Sequence, residues 1–126
     1  MSDRQDTGAK TRRAVLGDAH VTRAEDETTV FDAPFQALIT QSAWGTVWSD
    51  DTVSLRDRSL LTLALLAATG SHEEIPMHIR ATANTGATKE EVMQAFLHVA
   101  IYAGAPKANQ AIKLAKKTYA EMEDVA

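Results

Sequence analysis

The segment that most restricts how this chain can fold runs from Leu55 to Thr69. There, leucines at positions 60, 61, 63, 65 and 66 are separated only by alanine and threonine. A half-buried strand alternates apolar and polar residues, and a surface helix carries a single apolar stripe. This segment does neither. It is apolar nearly all round and reads as a helix buried on several sides. Two more helical segments follow, from Glu73 to about Asn84 and from Thr88 to about Ala103. No stretch alternates convincingly and no internal repeat is present, so an all-α fold is expected.

With 126 residues the chain is most simply one domain, short enough to gain from burying surface against further copies of itself. Apolar residues make up 44% and charged residues 24%, which fits a globular domain and neither a disordered nor a membrane protein. The net charge of −4 supplies no basic field for phosphate backbones, so nucleic acid is not an expected partner. No apolar run reaches the roughly 18 residues of a membrane span, and no hydrophobic leader opens the chain; a cytoplasmic protein is expected. The chain has no cysteine. Disulfides, thiolate nucleophiles and zinc-thiolate sites are thereby excluded. There is also no HxxxH pair and no compact carboxylate cluster at ligand spacing, so no metal site is expected.

Residues 1 to about 10 are polar and aperiodic and are expected to fray, with a short helix over Arg12 to Val21. Residues 1–30 then form an arm and residues 31–126 the helical domain. Asp32 is placed to cap a helix with Pro34 in its first turn. Phe35, Leu38, Ile39, Ser42 and Ala43 continue it at helical spacing, and Trp44-Gly45-Thr46-Val47-Trp48 closes it. Trp44 and Trp48, four apart, share a face. They either pack a core or wall an apolar substrate pocket.

Arg56 and Arg58 stand in the first turn of the leucine-rich helix, the wrong end of its dipole for cations. Either Asp57 or Asp51 compensates them, or a substrate carboxylate does, for which a guanidinium is well shaped. Glu73 and Glu74 suit the positive start of the next helix. Within it Ile75, His78, Ile79 and Thr82 form an inward stripe, making His78 either a hydrogen-bonded core residue or a catalyst. Gly86 suits the C-terminal cap, and Thr88 with Glu91 reads as a capping box. Val92, Ala95, Phe96, Val99, Ala100 and Ala103 line the third helix, widened by Met93, Leu97 and Ile101, while His98 and Tyr102 share another face. After Gly104-Ala105-Pro106 a last helix packs through Ala108, Ala111, Ile112, Ala115, Tyr119 and Met122, with Lys113, Lys116 and Lys117 solvated.

Taken in order, several of these pieces resemble the carboxymuconolactone decarboxylase family over about Phe31 to Ala115. They are Trp44-Gly45 with Trp48; Leu55-Arg56 with Arg58-Ser59-Leu60; Glu74 with His78-Ile79-Arg80; Asn84, Gly86 and Thr88; Glu91; and Tyr102-Ala103-Gly104-Ala105-Pro106. The tryptophan pair favours the decarboxylase branch over the related branch similar to alkylhydroperoxidase D, which uses a CxxC pair. Here Ser71 and Glu74 stand near those cysteine positions, so peroxidase chemistry is closed to this chain. Two departures, Gln94 where the pattern often has Glu and Thr85 where it has a second Asn, leave the substrate less fixed than the fold.

The resemblance implies a compact helical domain of the alkylhydroperoxidase D-like type, assembled as a homo-oligomer, often a hexamer or trimer. It implies decarboxylation of 4-carboxymuconolactone to 3-oxoadipate enol-lactone in the breakdown of protocatechuate, on the β-ketoadipate route of aromatic catabolism. That small carboxylated lactone carries its own electron sink, so no cofactor is implied. Arg56 and Arg58 would hold carboxylates, with Arg80 placed elsewhere on its helix. His78, His98 or Tyr102 would stabilise charge on the lactone oxygen. His78 would return the proton, oriented by Glu74, and Trp44 and Trp48 would exclude water. Alternatives are a decarboxylase or isomerase of a related lactone or β-keto acid, and a non-catalytic helical oligomer that binds small acids.

Overall fold

The computed structural model describes residues 3–125. Among them the regular elements are all helical: α1 (Asp3–Leu16), α2 (Asp18–Glu27), α3 (Ala33–Ile39), a π-helical segment (Thr40–Val47), α4 (Leu55–Thr69), α5 (Ile75–Thr85), α6 (Lys89–Tyr102) and α7 (Ala105–Val125), with a 3-10 turn (His72–Glu74) before α5. The expected all-α class holds. The described residues up to Leu55 gather into one compact unit and those from Arg56 onward into a second.

In the N-terminal unit, the expected fray over the first ten residues gives way to regular helix from Asp3. The reason is tertiary, because α1 docks backbone to backbone on the π-helical segment. A Cβ added at Gly8 would lie 2.0 Å from the Thr40 carbonyl oxygen, and one at Gly45 would lie 2.3 Å from that of Arg4. Only glycine permits so close a crossing. Arg4 Nε donates to Thr46 Oγ1 at 3.0 Å and Gln41 Nε2 to Gln5 Oε1 at 3.1 Å, fixing the register of the pair. Gly17, at φ 91°, breaks the single helix expected over Arg12 to Val21 into α1 and α2.

The helix expected to run on to Trp48 changes register at Thr40. Trp48 N–H donates to the Ala43 carbonyl five residues back at 2.8 Å, and Thr46 Oγ1 donates to the Gln41 carbonyl at 3.0 Å. Asp32 precedes α3 and Pro34 lies in its first turn, but the Asp32 carboxylate does not cap the helix. It accepts instead from the Thr29 N–H at 2.7 Å and the Thr29 hydroxyl, closing the loop before α3.

The C-terminal unit is built on a side-chain core. Leu63 and Ala67 of α4, Ile75 and Ile79 of α5, Val92, Phe96 and Val99 of α6, and Ala108, Ala111 and Ala115 of α7 are all buried together. The 3-10 turn delays α5 to Ile75, leaving Pro76 in the first turn, where its missing N–H is harmless. Gly86 ends α5 at φ 88°, its N–H donating to the Thr82 carbonyl, as a left-handed cap requires. At the start of α6 the capping box is complete, with Glu91 N–H on Thr88 Oγ1 and Thr88 N–H on Glu91 Oε1. One expectation fails: α4 is not buried on several sides. Its buried stripe is Ser59, Leu63 and Ala67, whereas Leu61 and Leu65 are 54% and 63% exposed.

Candidate active site

His78 lies on the buried stripe of α5 with Ile75, Ile79 and Thr82 and is 7% exposed. An imidazole there is shielded from water, and imidazole is a side chain that can give or take a proton. Glu74, one turn earlier, is exposed at the cap position of the same helix. Arg58 is half-buried in the first turn of α4. Beside it Ser59 is fully buried, and its hydroxyl lies 2.7 Å from that of Thr85 in the last turn of α5. This link ties the turn that carries Arg58 to the helix that carries His78. The local pattern did not reveal it; the signal was the position of Thr85, two turns beyond His78 on one helical face.

Arg56 has a different setting. Its guanidinium bonds Asp57 at 2.8 Å and also pairs with Glu91. These contacts raise its pKa above the ordinary value, the Asp57 hydrogen bond foremost, followed by attraction to Glu91. Of the side-chain partners open in the sequence, Asp57 is in place, joined by Glu91. Glu91 is held below the usual carboxylate range, chiefly by the Thr88 N–H; burial opposes this, and Arg56 adds a further lowering. Arg80 pairs with Glu121 at 2.8 Å on the far side of α5.

His98 and Tyr102 stack on α6 with ring centres 5.9 Å apart and planes at 23°. Both are exposed, Tyr102 at 84%, so they are not on the buried stripe of their helix. Trp44 and Trp48 are buried in the N-terminal unit, ring centres 5.0 Å apart. Their ring planes are tilted by 32°. A cleft of about 410 Å³ between α6 and α7, with Phe96 and Tyr119 in its wall, contains none of the expected site residues. Among the described residues no three His, Cys, Asp or Glu gather as a metal-ligand set.

A histidine buried on α5 and a half-buried arginine in the first turn of α4 thus belong to one all-helical unit, their helices joined by the Ser59–Thr85 contact. The chain belongs to the carboxymuconolactone decarboxylase family, whose model matches residues 33–117. It is 39% identical to 4-carboxymuconolactone decarboxylase of Acinetobacter baylyi over 97% of this chain and 92% of that protein. It is 40% identical to nitrosuccinic acid decarboxylase of Metarhizium robertsii over 94% of this chain and 83% of that one. A 42-residue stretch is 50% identical to 4-carboxymuconolactone decarboxylase of Pseudomonas putida, covering 33% of this chain and 88% of the relative. The protein is a carboxy-lyase. No helix among the described residues is long and apolar enough to cross a membrane.

Proposed function

We propose that the protein decarboxylates 4-carboxymuconolactone to 3-oxoadipate enol-lactone, in the cytoplasm, as a step of protocatechuate breakdown. The observation that carries the reading is the likeness to the Acinetobacter enzyme along nearly the whole of both chains. In the substrate, one ring carbon bears a carboxylate and an acetate arm. Breaking the carbon–carboxylate bond releases carbon dioxide and sends the electron pair through the ring double bond to the lactone oxygen. A proton then returns to the carbon beside the lactone carbonyl. Because the lactone is the electron sink, the chain has only to orient, shield and protonate.

Arg58 takes a substrate carboxylate in this reading, and Arg56, bonded to Asp57 and Glu91, stands in the same first turn of α4. His78 gives the proton from its shielded stripe, with Glu74 one turn away to orient it. His98 and Tyr102, exposed in one chain, are reserved for a site completed by another copy. Leu61 and Leu65 on α4, and Met93, Leu97 and Ile101 on α6, leave apolar rows exposed at helical spacing, which supports a homo-oligomer, trimeric or hexameric. Light scattering at the monomer mass would remove that part of the reading.

A second substrate is favoured by the Metarhizium relative. Nitrosuccinate also carries a carboxylate, an acetate arm and an electron sink on one carbon, the nitro group replacing the unsaturated lactone. The test is loss of 4-carboxymuconolactone by ultraviolet absorbance, beside carbon dioxide release from nitrosuccinate, for the wild type and His78→Ala. The mutant should fold by circular dichroism and lose about 10²–10⁴-fold in kcat, the usual share of general acid catalysis. Equal rates in both proteins would discard His78, and turnover of nitrosuccinate alone would install the second substrate.

A further inference from the structure

The N-terminal unit contains a cleft of about 360 Å³ where α1, α2, α3 and the first residue of the π-helical segment meet. That volume lies within the range of small-molecule sites. None of the residues assigned to decarboxylation lines it. Its wall includes two arginines and one glutamate, Arg12, Arg13 and Glu25. Arg13 is fully occupied: it pairs with Glu25 and with Asp18 at 3.3 Å, and donates to the Thr22 hydroxyl. Arg12 is not. Its Nε is completely buried and has no hydrogen-bond acceptor. Burial lowers its pKa from the ordinary value, more than the attraction of Glu25 raises it.

Arg12 is partly buried as a residue, and its Nε–H, shut off from water without an acceptor, carries a cost that an anion held on the same guanidinium would offset. The planar guanidinium fork matches a carboxylate. With Glu25 neutralising one arginine, a single positive charge remains in the lining, which suits a monoanion. Ala9, Val21, Ala33 and Ala37 supply the apolar part of the wall. We propose that this cleft binds a small monocarboxylate with an apolar body, its carboxylate on the guanidinium of Arg12 and its body against those side chains.

The probe is benzoate, titrated calorimetrically into the full chain at constant ionic strength, with benzamide and sulfate as controls. Saturable binding of benzoate, absent for benzamide and weaker for sulfate, is expected. Arg12→Gln should weaken it about tenfold or more, the loss of a hydrogen bond to a charged group, while decarboxylase turnover stays unchanged. Arg58→Gln should leave benzoate binding intact, separating this cleft from the decarboxylation site. Should Arg12→Gln fail to fold, Arg12→Lys, which keeps the charge and loses the fork, should still bind more weakly than the wild type. Absence of saturable binding, equal affinity in wild type and the Arg12 variants, equal binding of sulfate, or loss of binding in Arg58→Gln instead would each overturn the proposal.

Discussion

The two units are held together by opposite means. In the C-terminal unit, aliphatic and aromatic side chains from four helices meet in one core, with Leu63, Ile75, Ile79 and Phe96 each at 1% exposure or less. In the N-terminal unit the decisive contact has no side chain: Gly8 and Gly45 let α1 and the π-helical segment touch through their backbones, and polar bonds from Arg4 and Gln5 fix the register. One unit is therefore sensitive to what is taken away, the other to what is added. The tryptophans make the difference measurable, because Trp44 and Trp48 both lie in the N-terminal unit, so their fluorescence follows that unit.

The largest effect is expected from removing core volume. Phe96→Ala should cost about 3–5 kcal/mol in urea unfolding followed by circular dichroism, through lost burial and the cavity left behind. Gly8→Ala should cost less. The added methyl meets the Thr40 carbonyl oxygen at 2.0 Å and Gly45 N at 2.9 Å, both backbone atoms that cannot rotate away. Forced displacement of this kind typically costs about 1–3 kcal/mol, of which alanine's better helix propensity returns at most about 1. Its signature should be an early change in tryptophan fluorescence, with Phe96→Ala moving the dichroism curve more than the fluorescence curve. If both substitutions shift both probes equally, the units unfold as one and the contrast between them has no thermodynamic content.

The same contrast decides what could be read from the sequence. α5 to α7 are legible because their signals are local: the capping box at Thr88, the left-handed Gly86, prolines in first turns and apolar spacing whose central stripe is buried, although Met93, Leu97 and Ile101, expected to widen the α6 stripe, are exposed. The inward position of His78 followed from that spacing. What was hidden depends on residues far apart in the chain. The π-helical turn under Trp44 and Trp48 is set by α1 lying against Gly45, and a helical-spacing argument has no term for it. The order of the first ten residues, polar and aperiodic as they are, depends on Gly8 meeting Thr40, 32 residues away. Arg56 was correctly seen to need an anion, but Glu91, which shares the task with Asp57, lies 35 residues away. The outward turn of Leu61 and Leu65 is invisible to a pattern that is apolar on every side.

The smallest effect is an acid-dependent one, and it sharpens the comparison by locating a charge-based tie in the C-terminal unit. Glu91 accepts from the Thr88 N–H and pairs with Arg56, so its folded pKa lies below the ordinary glutamate value of about 4.3. A carboxylate whose pKa is lowered by folding adds stability above the unfolded pKa and loses it as pH falls through the folded one. The brace between α4 and the start of α6 should thus be intact at neutral pH and weaken below about pH 4. Glu91→Gln keeps an acceptor for the Thr88 N–H and removes the charge. Its urea midpoint should sit below that of the wild type at pH 7, and the gap should close as the pH is lowered, since the wild-type side chain then becomes neutral as well. Tryptophan fluorescence should register this change less than circular dichroism does. A gap that persisted unchanged in acid would mean that Glu91 acts through shape and hydrogen bonding alone, and that the charge on Arg56 is held by Asp57.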